Sequence, residues 1–184
     1  MVRASFISFL TLLFFSFSVG FVFSHPGHDH SEPESASDSA EIFVQYELPY
    51  PGMLPDNPLY FLKTIRDRVV SFLITDPIKR AEFNLLTSDK RIYAAVLLVE
   101  KGKEELAVDT LSKSNNYFHE AILALDRAKE KGRDIHSMQG SLHTSVKKHQ
   151  QVVSRQLVPH ISESLENRVD LESERLEEFE KLVN

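Results

Sequence analysis

Residues 107–128, AVDTLSKSNNYFHEAILALDRA, decide the fold class. Ala107, Leu111, Ser114, Phe118, Ala121, Leu125 and Ala128 recur at alternating steps of four and three. That spacing puts small and apolar side chains on one stripe of an α-helix and leaves Asp109, Lys113, Glu120 and Asp126 off it. The alternation of large and small residues, Ala121 beside Phe118 and Leu125, is a packing device for a neighbouring helix. Gly132 ends this helix, because glycine takes the left-handed C-terminal conformation at little cost. Asp134 is placed to cap the next one.

Working back from this stretch, Asp76-Pro77 opens an earlier helix. Aspartate is a good N-cap, and proline suits the first turn because its missing N–H would be unpaired there. Ile78, Leu85, Ile92 and Val99 follow seven apart, with Ala81, Ala95 and Val96 between them, until Gly102 stops the helix. Pro77 to Lys101 spans about 38 Å at 1.5 Å per residue. Asn57-Pro58 repeats the same opening device one helix earlier, with Asn57 as cap. Leu59, Leu62, Ile65, Val69, Phe72 and Leu73 then form an apolar stripe, read as a core face, while Lys63, Arg66, Asp67 and Arg68 form a solvated one.

Working forward, Ile135, Met138, Leu142, Val146, Val153 and Leu157 mark a fourth segment. Pro159 must kink or break it. Ile161, Leu165, Val169, Leu176, Phe179 and Val183 resume the pattern in a last, highly charged helix. Short links between long amphipathic helices imply antiparallel neighbours. The expected fold is therefore all-α, an antiparallel bundle of four to five helices over residues 57–184. A repeat-type hairpin over Ala94 to Ala128 ranks lower, since no second copy occurs at fixed spacing.

The residues before the bundle divide into three. Residues 1–24 carry one positive charge, Arg3, and then an uncharged apolar run through Phe23, the pattern of a signal peptide. Val22 and Ser24 suit cleavage after Ser24. An uncleaved membrane anchor is the alternative, weakened by Ser5, Ser8, Thr11, Ser16 and Ser18 within the run. Either reading places the remainder outside the cytoplasm, secreted or in the cell envelope. Residues 25–41 begin with His25-Pro26-Gly27-His28-Asp29-His30 and continue as an acidic, Ser-rich tether with too little apolar surface to fold. Residues 42–56 form an irregular Pro-rich lead-in. Its first part alternates weakly, Pro49, Pro51, Gly52 and Pro55 forbid regular structure, and Tyr50 with Met53 or Leu54 are the expected apolar pegs.

Charge and composition exclude several functions. The chain has 21 basic and 27 acidic residues, a net charge of -6. That balance argues against nucleic acid as a partner, which needs a cationic footprint. Cysteine is absent, so there is no disulfide, thiolate metal site or lipid-modified cysteine. No Gly-rich phosphate loop, hydrolase serine elbow or Glu-x-x-His pair occurs, and His119-Glu120 lacks the second histidine of a zinc-protease helix. No carboxylate stands in evidently apolar company. His136, His143, His149 and His160 read as partly exposed helix histidines. These features point away from an enzyme.

One cluster keeps a specific chemistry open. His25, His28, His30 and Asp29 supply three imidazoles and a carboxylate within six residues, a composition suited to Cu or Zn. The amino-terminal copper geometry that needs histidine third is excluded, because Gly27 stands third and Pro26 has no N–H to give up.

The stretch Leu54-Pro55-Asp56-Asn57-Pro58-Leu59-Tyr60-Phe61-Leu62-Lys63 is specific in order and spacing, as is Asp76-Pro77 followed by Arg80-Ala81-Glu82-Phe83. Together with Arg91, Glu100 and Gly102 it resembles an uncharacterised bacterial and archaeal family known only as a domain of unknown function. The resemblance covers roughly Leu48 to Gly132. It departs from the family at Arg91-Ile92-Tyr93-Ala94, where an Arg-Leu and then an acidic residue are expected. It implies an exported or tethered helical domain and brings no activity. The motif residues Asn57, Pro58, Leu59, Tyr60, Lys63, Asp76, Pro77, Arg80, Ala81 and Gly102 have readable structural roles as caps, turns and core. The functional expectation is a non-enzymatic binding or structural module of the bacterial cell envelope with an envelope protein as partner, and with membrane contact only if the first segment is retained. The alternative is an extracytoplasmic metal-handling or metal-sensing protein using the histidine cluster.

Overall fold

A computed structural model describes residues 44–184. They form five α-helices and no strand among the described residues: α1 (Tyr60–Leu73), α2 (Pro77–Glu100), α3 (Glu104–Glu130), α4 (His136–Val152) and α5 (Glu163–Val183). Glu41–Asn184 is a compact unit with its own hydrophobic core. It therefore contains what a domain needs to fold alone.

The α2–α3 hairpin is the centre of the fold. Gly102, at φ +69, closes it. The Lys103 amide donates to Leu98 O (2.9 Å) and the Gly102 amide to Val99 O (2.8 Å), which satisfies the last carbonyls of α2. Halfway along, Ser88 and Ser114 donate to each other's backbone carbonyls at 2.9 and 2.8 Å. Two small hydroxyl residues let the backbones approach closely while leaving no polar group unpaired. All seven stripe residues of α3 are buried, and Phe118 stacks on Phe179 of α5 with ring centroids 5.4 Å apart.

Helices α4 and α5 close the bundle against this hairpin. Pro159 ends the regular helix as its chemistry requires. The chain widens into a π-turn over Val153–Leu157, tightens to a 3-10 turn over Val158–His160, and restarts at Glu163. The Glu104 carboxylate, in the first turn of α3, accepts the Ser162 amide at 2.8 Å and so helps start α5. Accepting that amide holds the Glu104 pKa below the usual glutamate value.

Asp76 caps α2 as its sequence indicated, accepting the Ile78 and Lys79 amides at 2.9 and 3.1 Å with Pro77 in the first turn. The Lys79 amide lowers its pKa most. Asn57 departs from expectation. Its Oδ1 accepts the Leu59 amide (2.9 Å), closing a turn two residues on, and α1 begins only at Tyr60 with Leu59 at the cap. The side chain of asparagine completes an Asx-turn more readily than a cap when the chain already turns through Pro55–Asn57. Pro58 consequently precedes the helix.

The lead-in crosses the bundle; of the anticipated pegs Leu54 is half-buried, while Tyr50 and Met53 are exposed. Tyr50 is largely exposed and meets the Tyr93 ring edge-on. Leu48 packs on the core and Pro51 is buried. Tyr46 reaches inside and donates its hydroxyl to the buried Asp89 carboxylate at 2.5 Å, an anchor that Tyr50 and Met53 do not have.

Candidate functional site

Helix α1 reverses the expected arrangement. It contributes no buried residue. At about 100° per residue, Phe61, Leu62, Ile65, Val69, Phe72 and Leu73 fall within one arc of roughly 120°. Every one of them is exposed, Phe72 at 83% and Leu73 at 64%. The half-buried positions are Tyr60, Lys63, Thr64, Asp67 and Ser71, on the opposite side of the helix. The stripe read as a core face, Leu59, Leu62, Ile65, Val69, Phe72 and Leu73, is thus exposed throughout, with Phe61 joining its helical part, and the polar side faces the bundle.

Polar contacts hold it that way round. Arg91 of α2 donates from Nη1 to the Tyr60 hydroxyl at 3.0 Å. Its guanidinium also lies over the Tyr117 ring, 4.7 Å from the centroid, a cation–π contact. The Lys63 ammonium donates to Pro51 O at 2.7 Å, which ties α1 to the lead-in. Arg80 donates from Nη2 to Ile74 O (2.5 Å) and Ser71 O (3.4 Å), at the C-terminal end of α1. Partial burial pulls the Lys63 pKa down and pushes the Tyr60 pKa up from their ordinary values. The motif residues Tyr60, Lys63 and Arg80 are therefore the fasteners of α1, while Ala81 is fully buried core and Gly102 is the hairpin turn.

A crevice of about 100 Å³ runs between α1 and α2. Lys63 and Arg66 of α1 and Lys90 and Arg91 of α2 line it, with Asp67 the one carboxylate. Asp67 accepts two bonds from Arg66. Arg91 is nine-tenths buried, and its Nε has no hydrogen-bond partner among the described residues. Four cations against one carboxylate is a local excess of positive charge on a chain whose net charge is -6.

A second polar cluster lies deeper. The Asp89 carboxylate of α2 is the common acceptor: Oδ2 takes the Tyr46 hydroxyl (2.5 Å), Oδ1 takes the Ser145 hydroxyl (2.6 Å), and Nε2 of His149 lies 2.8 Å from Oδ1. His149 is fully buried, against the expectation of partial exposure, and Phe118 meets its ring edge-on at 5.5 Å. Burial and the neighbouring carboxylate push the Tyr46 pKa well above the ordinary phenol value. Serine, histidine and aspartate here do not form a nucleophilic relay. In such a relay the serine proton faces one imidazole nitrogen and the acid faces the other. Here serine and imidazole both point at Asp89, sealed from solvent. The cluster clasps α2, α4 and the lead-in together.

Glu172 of α5 is likewise buried, accepting Asn115 Nδ2 (2.8 Å) and Arg175 Nη1 (2.8 Å). Two carboxylates do therefore stand in apolar company. Their sequence signal was present, since Asp89 follows Ser88 in the stripe of Leu85 and Ile92, His149 falls between Val146 and Val153, and Glu172 between Val169 and Leu176. Each is a polar residue at or beside a slot where the periodicity calls for an apolar one. His136, His143 and His160 are not buried, and no group of three metal-ligating side chains occurs among the described residues. His25, His28, Asp29 and His30 lie outside the described residues.

The family model described as Domain of unknown function (DUF5667) matches residues 52–168. The chain belongs to this family. The matched span takes in α1, the crevice and the Asp89, Ser145 and His149 members of the clasp, while Tyr46 and most of α5 lie outside it. No curated protein and no solved structure matches this DUF5667 chain.

Proposed function

We propose that this DUF5667 protein is a non-enzymatic binding module of the cell envelope that docks through the outward face of α1. The observation that supports this reading is the six-residue apolar arc on α1, turned to solvent while hydrogen bonds hold its polar side to the bundle. Burying one such side chain is worth about 1.5–3 kcal/mol. A fold that exposes six of them on one face therefore forgoes substantial stability, and contiguous exposed apolar surface marks contact sites. The export pattern of residues 1–24 supports placement outside the cytoplasm.

The test is retention. Exported behind a cleavable leader, Glu41–Asn184 stays with the envelope fraction, and the F61S/F72S variant appears in the soluble extracytoplasmic fraction. Equal partition of the two refutes the reading. The second reading, metal handling at His25, His28, Asp29 and His30, is supported by that composition alone. Titration of a 25–41 peptide with Cu and Zn decides it, and affinity no better than free histidine ends it.

A further inference from the structure

We propose that the occupant of the α1 face is an anionic lipid surface, with the Lys63–Arg66–Lys90–Arg91 crevice receiving a phosphate of its headgroups. This rests on the docking reading above and names the partner's chemistry. Three features of the structure favour lipid over other occupants.

The first is the distribution of charge around the helix. At about 100° per residue, Arg66 and Arg68 border the apolar arc on its two sides. An interfacial helix has this layout: apolar side chains enter the acyl boundary, and long cationic side chains at its margins reach back to the phosphates. The second is the crevice, which opens along the flank of α1 that Arg66 borders. It brings cations from two helices to the same edge as the apolar arc, and its volume of about 100 Å³ suits one phosphate group. Arg91, which lines its wall, is nine-tenths buried, so its charge is already largely desolvated there. Arg66 lines the crevice and also borders the arc, so one bound lipid would satisfy both.

The third is that the same layout disfavours a second copy. A two-fold contact between α1 helices presents the same surface to itself. It would bring the cationic margins of both copies together, and the local carboxylate, Asp67, is already held by Arg66. An anionic bilayer instead offers complementary charge along the whole margin, at about 1 kcal/mol per cation near the surface.

The experiment is sedimentation of purified Glu41–Asn184 with vesicles of phosphatidylglycerol and, separately, of phosphatidylcholine. The wild type is expected to bind the anionic vesicles and to bind the neutral ones at least about tenfold more weakly. F61S/F72S removes apolar contact and R66E/K90E reverses the crevice charge. Each is expected to lower the partition onto anionic vesicles at least about tenfold, with circular dichroism and melting unchanged. Absence of wild-type binding overturns the proposal, as does binding that neither variant weakens. A wild-type dimer in analytical ultracentrifugation that F61S/F72S dissociates also overturns it, assigning the face to a second copy. If α1-dependent retention in the envelope survives while purified vesicles are ignored, the occupant is a protein. The docking reading then stands and the lipid assignment falls.

Discussion

Helices α1 and α3 carry the same kind of apolar spacing and use it in opposite directions. In α3 the stripe is buried against α2, α4 and α5, and Phe118 has no exposed surface. In α1 the stripe is exposed, and Phe72 keeps most of its surface in water. Periodicity shows that a helix has two faces. Which of them meets the bundle depends on what the bundle presents. The surface beside α1 presents Arg91, Pro51 O and Arg80, and these partners suit Tyr60, Lys63 and the terminal carbonyls of α1 better than they suit leucine or phenylalanine.

The contrast is sharpest for aromatic truncation in α3. Phe118→Ala empties a site stacked on Phe179 and edge-on to His149, and it should destabilise the domain by about 3–5 kcal/mol. Urea denaturation of Glu41–Asn184 measures it. A loss below about 1 kcal/mol would mean that α3 does not hold the core.

Next in size is Asp89→Ala, which strands the Tyr46 hydroxyl, the Ser145 hydroxyl and the His149 ring without their shared acceptor. Leaving several buried donors unpaired should cost about 3 kcal/mol, somewhat less if water enters. Tyr46→Phe tests one arm of the same cluster and should cost about 1–2 kcal/mol near neutral pH. Its pH dependence has a definite sign. The folded-state pKa of Tyr46 lies above the unfolded value of 10.0. The contribution is therefore complete below pH 10 and is lost as pH rises beyond it, because only the unfolded chain ionises there. The stability gap between wild type and Tyr46→Phe should narrow above pH 10. A gap that stays constant or widens would contradict the clasp.

The stripes of α2, α3, α4 and α5 and the break at Pro159 were legible because each is local: spacing, a cap, a glycine, a missing N–H. The direction of α1 was not, because its polar partners come from residues up to 31 positions away, as in the bond from Arg91 to Tyr60. The Asp89 clasp was hidden for a similar reason. Its members come from the lead-in, α2 and α4, and no local pattern shows that these four side chains meet. Polar residues interrupting an apolar stripe, as His149 and Glu172 do, are the one local sign that a stripe conceals a buried network.

The smallest expected effect decides most about α1. Phe72→Ser removes a ring from the outward face, where it is 83% exposed. A surface change of this kind should leave stability within about ±0.5 kcal/mol. The same substitution should matter only where the arc meets its occupant, so stability and docking separate in one variant. In a bundle helix they cannot separate, because the ring that would bind a partner is the ring that holds the core. Should Phe72→Ser cost even half of what Phe118→Ala costs, the α1 stripe is a core face in solution, and the surface assigned to docking is closed.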